Sequence, residues 1–278
     1  MVNPSSVLRS LHEPIVVAAF SGWSDAGTAA SDAVDHLAET YNAEQVFALD
    51  PDDFYDFQVT RPVVTRSGGE ARFTWPTTEV MATRIADRDV ILVAGPEPSY
   101  RWDGFCRVLT EMLAPARPKL ALMLGALLAD VLHNRPLPSS VTSQNPDLQR
   151  AHGLIGSDYE GPTGITGIFS HRLELAGIPV ASAWVSVPHY VASTPNPKAA
   201  LTLLRHVEDI SELHLDLADL PELARAWERS ANEVAESDPA ISEYVAALAE
   251  EQDEAELPQA SGDAIAAEFE RYLRRREA

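Results

Sequence analysis

Residues 15–37 read IVVAAFSGWSDAGTAASDAVDHL, and this stretch decides the fold. Ile15 to Phe20 is a continuous apolar run, which is typical of a strand covered on both faces. A glycine-containing turn follows, and Thr28 to Leu37 then has the length and composition of a helix. Strand, loop and helix in this order predict an α/β layer fold with a largely parallel sheet.

Further apolar runs of strand length continue this pattern: Val46 to Leu49, Val90 to Ala94, Lys119 to Leu124 and Pro179 to Val187. Pro62 to Trp75 differs, because two polar and β-branched arms flank Ser67-Gly68-Gly69, which predicts an antiparallel hairpin. Thr163 to Ala176 is predicted to be a helix because Gly-Pro precedes it and Gly177 follows it. Asn196-Pro197 predicts the start of another helix.

The composition is that of a globular protein with a large acidic excess. The 278 residues include 21 Lys and Arg against 42 Asp and Glu, a net charge of -21. Proteins bind nucleic acids and anionic membrane surfaces through clustered Lys and Arg side chains. Because acidic residues outnumber basic ones here, we expect neither as a partner. Leu120 to Ala129, the longest apolar stretch, is far shorter than the roughly 20 residues that cross a bilayer. The single cysteine, Cys106, and an N-terminus without a basic-then-apolar leader predict a cytoplasmic protein.

Charge and periodicity divide the chain into two regions. Residues 211–278 carry 18 acidic and 6 basic residues, net -12. After Ile210 the strand signals stop, and three amphipathic helices are predicted, the last one capped at Ser261. The Glu-rich stretch from Glu250 to Glu256 is interpreted as a solvated linker. We therefore predict an α/β core over residues 1–210 and an acidic helical extension over 211–278.

Loops after parallel strands carry the candidate functional residues, because the carboxyl ends of such strands meet at one edge of the sheet. These loops are Ser21 to Gly27, Gly95 to Trp102 and Pro188 to Tyr190, and Ser157 to Thr163 is expected to reach the same edge. Together they supply acids, a cation, a histidine and aromatic walls for one pocket. The candidate pocket residues are Trp23, Ser24, Asp25, Glu97, Arg101, Trp102, Glu160, His189 and Tyr190.

Several of these residues also have a structural interpretation. The preferred interpretation of Asp25 is as the cap of the helix that begins near Gly27. Arg101 and Glu97 lie four residues apart and are candidates for a structural ion pair. His189 is also interpretable as a packed, hydrogen-bonded histidine.

Known catalytic and cofactor motifs are incomplete in this sequence. Gly22 to Ala26 approximates G-x-S-x-G, which would make Ser24 a nucleophile with His189 as its base, but Ala26 replaces the final glycine. The glycines of the same loop have P-loop spacing without the lysine that contacts phosphate. Because no G-x-G-x-x-G follows a strand and neither C-x-x-C nor H-E-x-x-H occurs, we predict no cofactor and no metal site.

Six stretches resemble the proteasome assembly chaperone 2 family, in its bacterial, actinobacterial-type branch. They are FSGWSDAG (residues 20–27), DPDDFYDFQVTRP (50–62), EPSYRW (97–102), LGALLADV (124–131), YEGPTGITG (159–167) and VPHYVASTPNPKAAL (187–201). The resemblance runs from about Pro14 to Ile210. It implies a three-layer α/β/α fold of the phosphorylase/hydrolase type, similar to purine nucleoside phosphorylases. It also implies self-association, with a homotrimer as the first expectation.

The resemblance further implies a role in binding other proteins. Eukaryotic members of the family help to assemble the 20S proteasome, and archaeal relatives bind it through a C-terminal hydrophobic-Tyr-any motif. This chain instead ends in Arg276-Glu277-Ala278.

Two hypotheses follow. The first is a non-catalytic, chaperone-like or scaffolding protein whose partners include proteasome subunits or another protein complex. The second is an enzyme acting on a nucleoside-like or amide substrate, a hydrolase or transferase, with Asp25 or Glu160 as general base, Arg101 orienting an anionic group and His189 as acid.

Overall fold

A computed structural model describes residues 4–256, and nine strands make up its sheets. The strands are β1 (Ile15–Ser21), β2 (Glu44–Ala48), β3 (Val63–Ser67), β4 (Glu70–Thr74), β5 (Glu79–Ile85), β6 (Arg88–Pro96), β7 (Leu120–Ala129), β8 (Ser139–Thr142) and β9 (Val180–Pro188). Seven of them form the central sheet in the order β2-β5-β6-β1-β7-β9-β8, and β3 pairs with β4 as a separate hairpin. The hairpin predicted at Pro62 to Trp75 is therefore confirmed.

The four strands at the centre of the sheet run in one direction. β6 pairs with β1, β1 with β7, and β7 with β9, each time in parallel. Ser21 lies opposite Pro96 at the ends of β1 and β6, and Ala129 lies opposite Pro188 at the ends of β7 and β9. The predicted common edge for the loops after these strands is thus present, and we call it the rim.

Eight helices accompany the sheet in the described residues. They are α1 (Pro4–Ser10), α2 (Ala29–Thr40), α3 (Trp102–Leu113), α4 (Pro146–His152), α5 (Ile165–Leu175), α6 (Pro197–Ser211), α7 (Leu220–Ser237) and α8 (Pro239–Glu256). The apolar residues of α2 and α6 pack on one face of the sheet, and those of α1, α3 and α5 pack on the other.

Strand β1 shows why the central strands are apolar throughout. Ile15, Val17 and Ala19 belong to the core under α2 and α6, while Val16, Ala18 and Phe20 belong to the opposite core. Successive side chains of a strand point to opposite faces, so both faces must be apolar when helices cover both. The fold is therefore the predicted α/β/α arrangement.

The structure corrects the sequence-based element list. Two antiparallel strands, β5 and β8, were not predicted, and neither were the short helices α1 and α4. Residues 250–256 belong to α8, so the interpretation of this stretch as a linker was wrong. The predicted helix capped at Ser261 lies outside the described residues. α7 packs against α6, and α8 packs against α7.

Candidate functional site

The loop after β1 meets the start of α5 at the β1–β6 half of the rim. The Glu97 Oε1 atom accepts a hydrogen bond from the Ile165 backbone N–H at 2.8 Å. A Cβ atom placed on Gly164 would lie 2.8 Å from Ser24 Oγ and 3.0 Å from Glu97 Oε1. A side chain at position 164 would crowd both groups, so Gly164, which follows the loop over residues 157–163, packs against the loops after β1 and β6.

Ser24 and Trp23 have opposite environments in this corner. Ser24 is buried, and its Oγ has no hydrogen-bond partner among the described residues. Its carbonyl oxygen accepts from the Ala126 N–H at 2.8 Å, which fixes the loop onto β7. Trp23 is 67% exposed although it lies beside Gly164. The Glu97 carboxylate, the Ser24 hydroxyl and the Trp23 indole therefore lie around the backbone of Gly164 and not around an open cavity.

Asp25 directs its carboxylate into the start of α2. Oδ1 accepts from the N–H groups of Ala30 at 2.7 Å and Ser31 at 3.2 Å, and Oδ2 accepts from Ser31 Oγ at 2.5 Å. These bonds satisfy N–H groups that a helix leaves without internal partners. Burial raises the pKa of Asp25 above its usual range, while the bonds from Ser31 and Ala30 oppose that shift. The capping interpretation of Asp25 is confirmed.

Arg101 lies apart from the other candidates and pairs with a residue that sequence reasoning missed. Its Nη1 is 2.6 Å from Asp53 Oδ1, and its guanidinium carbon is 5.6 Å from the centre of the Phe54 ring. Arg101 therefore forms its ion pair with Asp53 and not with Glu97, the alternative that the sequence suggested. The spacing of residues along the chain did not indicate the pair with Asp53. Trp102 donates from Nε1 to the Pro98 carbonyl at 2.6 Å.

At the β7–β9 half of the rim, Tyr190 joins the loops to a buried histidine. The Tyr190 hydroxyl lies 2.8 Å from His133 Nδ1 and accepts from the His133 backbone N–H at 3.0 Å. His133 Nε2 lies 2.9 Å from Asn232 Oδ1, so the imidazole links Tyr190 to α7. Burial raises the pKa of Tyr190.

His189 faces the last described helix. Its Nε2 lies 3.0 Å from Asp130 Oδ1 and 3.2 Å from the Tyr244 hydroxyl. Tyr244 itself donates to Asp130 Oδ1 at 2.7 Å, and this hydrogen bond raises the pKa of Tyr244 to about 12. The rings of His189, Tyr190 and Tyr244 pack edge to face or tilted, with centroids 5.4 to 5.7 Å apart.

The C-terminal helices cover this half of the rim through polar contacts as well as packing. Lys198 donates to the His133 carbonyl at 2.7 Å and pairs with Glu228 on α7. Asn232 is on α7 and Tyr244 is on α8. Sequence reasoning missed His133, Asn232, Tyr244 and Asp130; of these only Asp130, which directly follows β7, carried a positional signal.

The nine predicted residues consequently divide into separate groups. Trp23, Ser24 and Glu97 gather at Gly164, and His189 and Tyr190 gather at Tyr244. The other side chains have separate partners: Asp25 in α2, Arg101 in Asp53 and Trp102 in Pro98. Glu160 lies exposed in the loop before α5.

Neither a metal centre nor a ligand-sized pocket is evident at the rim. Among the side chains that the structure describes, no group of three or more His, Cys, Asp or Glu is placed to hold a metal ion. A cavity of about 220 Å³ lies beside Tyr190, with Trp227, Ala231 and Val234 of α7 in its wall. This volume is below the range of about 300–1,000 Å³ that is usual for ligand pockets. None of the helices described here could cross a bilayer.

The comparisons with known proteins agree with this geometry. Residues 19–235 match the PAC2 family, and the chain belongs to that family. A PAC2 family protein from Streptomyces avermitilis is 46% identical, with a TM-score of 0.79, and the match covers 84% of this chain and 99% of that one. A proteasome-assembly chaperone homologue from Mycobacterium tuberculosis is 45% identical, with a TM-score of 0.76, over 83% of this chain and 99% of that one.

A more distant structure shows the same fold. An archaeal proteasome activator from Pyrococcus furiosus is 17% identical, with a TM-score of 0.64, over 81% of this chain and 94% of that one. The comparison with curated proteins found no match.

Proposed function

We propose that this chain is a non-catalytic, chaperone-like or scaffolding protein of the cytoplasm that acts by binding other proteins. Proteasome subunits are the first candidate partners, because a relative with 45% identity is a proteasome-assembly chaperone homologue. We also propose that the chain self-associates, with a homotrimer as the first candidate. In this proposal residues 1–210 are the core, and 211–278 are an acidic extension that covers an interface.

One observation carries the proposal: the polar groups at the rim hold the fold together. Asp25 caps α2, Glu97 holds the first N–H of α5, and His189 contacts α8. A catalytic pocket needs acid, base and orienting groups directed at one point where a reacting atom can sit. Here each group is directed at a different part of the chain, which favours protein binding over catalysis.

The enzyme hypothesis required Arg101, His189 and either Asp25 or Glu160 to surround one cavity. Arg101 and Asp25 have partners on different elements, and His189 belongs to the cluster under α8. No contact among the described residues brings these four side chains together, so we do not propose a second function.

Native mass spectrometry of the full chain mixed with purified proteasome α and β subunits tests the candidate partner. We expect a complex of defined stoichiometry with one type of subunit. The Asp25→Asn variant is a suitable control, because its amide keeps the Oδ1 acceptor of the cap. We expect this variant to bind the subunit as the wild type does. Spectra that contain only the separate components would contradict the proteasome assignment.

A further inference from the structure

The β3–β4 hairpin is an unusually exposed part of this molecule. Every residue from 63 to 75 is exposed, and both strands pair only with each other. An isolated two-stranded hairpin is marginally stable in water unless its side chains pack against something. Large apolar residues nevertheless lie on it, with Val63 60%, Phe73 60% and Trp75 49% exposed.

One face of the hairpin combines apolar and basic side chains. Val64 lies opposite Phe73, and Arg66 lies opposite Ala71, so these four residues share a face. We call them the hairpin face. At the base, the Phe57 and Trp75 rings contact each other with centroids 4.9 Å apart. This aromatic pair lies at the base of an arm whose apolar face is not covered by any of the residues that the structure describes.

The charge of the hairpin is opposite to that of the molecule. Residues 61–75 contain three arginines and one glutamate, net +2, on a chain of net charge -21. A contact between two hairpins would bring arginines together, which is unfavourable. The arm is therefore suited to an acidic surface with an apolar recess.

A second copy of this chain offers such a surface on α7. The 220 Å³ cavity beside Tyr190 is bounded by Trp227, Ala231 and Val234, and Val234 is 45% exposed. We call this cavity the α7 groove. Residues 220–256, which form α7 and α8, carry eleven acidic and two basic side chains, net -9. The groove is small for a ligand but is suited to a single aromatic anchor of the kind that dominates protein interfaces.

We infer that the hairpin face of one copy docks in the α7 groove of another, with Phe73 as the anchor and Arg66 over the acidic helices. The inference deepens the self-association proposed above and rests on it. The hairpin joins β2 to β5 at one end of the sheet order, whereas the groove adjoins β9 and α7 near the other end. A contact between two different surfaces of identical chains is head-to-tail. Such contacts form a closed ring when the rotation that relates neighbouring copies returns to the first copy.

Sedimentation velocity of the full chain tests the contact with two variants. Phe73→Glu places a carboxylate on the hairpin face, and Val234→Glu places one in the groove. We expect each variant to sediment as a 30.2 kDa monomer at concentrations where the wild type is assembled. Thr74→Glu, on the opposite face of the same hairpin, and Leu175→Glu, an exposed site on α5, should keep the wild-type mass.

Mixing the two variants tests the head-to-tail geometry directly. Phe73→Glu keeps an intact groove and Val234→Glu keeps an intact hairpin, so the mixture should form a one-to-one dimer that grows no further. Circular dichroism and thermal unfolding of each variant check that it is folded. The charge reversal Arg66→Glu provides a second disruption of the hairpin face and leaves Val64 and Phe73 in place.

The outcomes separate the two proposals. A monomeric wild type would overturn both self-association and this inference. An assembled wild type whose folded hairpin variants keep its mass would overturn the hairpin assignment alone. Variants that dissociate but form no dimer on mixing would overturn the head-to-tail contact.

Discussion

Glu97 stabilises the amino end of α5 through one carboxylate oxygen. Substitution of Glu97 should therefore lower the free energy of unfolding by a measurable amount. The Ile165 N–H that it accepts is one of the groups a helix cannot satisfy internally, and a carboxylate there also interacts favourably with the helix dipole. Glu97→Ala should lower the free energy of unfolding by about 1 kcal/mol, and Glu97→Gln by less. Urea unfolding measures the difference.

Glu160 provides the control for that substitution. It is an exposed glutamate in the loop that leads into the same helix. Glu160→Ala should change the free energy of unfolding by no more than about 0.5 kcal/mol, as expected for surface positions. Equal effects of the two alanine variants would show that Glu97 does not hold α5.

Asp25 should make stability depend on pH in a defined direction. Burial raises the pKa of this carboxyl in the folded chain above its ordinary value of 3.8. The folded state then binds a proton more readily than the unfolded state, so the contribution of Asp25 is fully present below pH 3.8 and is lost as the pH rises through the raised value.

Asp25→Asn removes this titration while it keeps an acceptor for the α2 N–H groups. The free energy of unfolding of the wild type minus that of the variant should therefore fall between about pH 4 and neutral pH. Urea unfolding of both proteins across this range measures it. A difference that stays constant or rises with pH would show that burial does not dominate the titration of Asp25.

Asp25 and Glu97 also show which residue roles the sequence can predict. Asp25 lies five residues before Ala30, so a cap was recognisable from local order. Glu97 and Ile165 are 68 residues apart, and nothing in local spacing joins them. Local hydrogen bonds are predictable from sequence patterns, whereas contacts between loops depend on the packed fold.

At the scale of elements, Tyr244 should act as the tether of α8. Its hydroxyl donates to Asp130, and its ring packs on His189 and Tyr190. Tyr244→Phe removes the hydrogen bond and keeps the ring. We expect the opening of α8 to become about fivefold more favourable, equivalent to about 1 kcal/mol for one hydrogen bond.

Hydrogen–deuterium exchange over residues 239–252 measures that opening. Tyr159→Phe is the matched control, because Tyr159 donates to Pro162 within its own exposed loop. Exchange in the central strands should be unchanged in both variants. If Tyr244→Phe leaves exchange in α8 at the wild-type rate, the hydroxyl does not tether the helix.

The elements differ in how clearly the sequence predicts them. β1 and β7 are apolar on both faces and were recognisable as buried strands. β5 contains Glu79, Thr83 and Arg84, and β8 has only four residues, Ser139 to Thr142. Both are antiparallel strands toward the edges of the sheet, where hydrogen bonding to a neighbour rather than apolar content fixes the strand.

For the whole molecule, the sequence predicts the parallel sheet and the rim that its loops share. It does not predict that the candidate residues lie in separate groups at the β1–β6 half and the β7–β9 half of that rim. The order of loops along the chain places Asp25, Glu97 and His189 at one edge, as the parallel pairing confirms. It does not indicate that α7 and α8 return to cover the β7–β9 half. That arrangement rests on contacts between residues far apart in the chain, such as Tyr244 with Asp130, 114 residues earlier, and Asn232 with His133.

Affinity purification of the tagged full chain from native lysate tests the central claim, that this protein works through contacts with other proteins, most directly. The wild type is compared with a double variant, Asp25→Asn with His189→Gln, which changes the two polar groups most suited to catalysis. We expect both to recover the same defined complex at comparable stoichiometry. Recovery of nothing beyond further copies of the chain itself, by wild type and variant alike, would contradict the account.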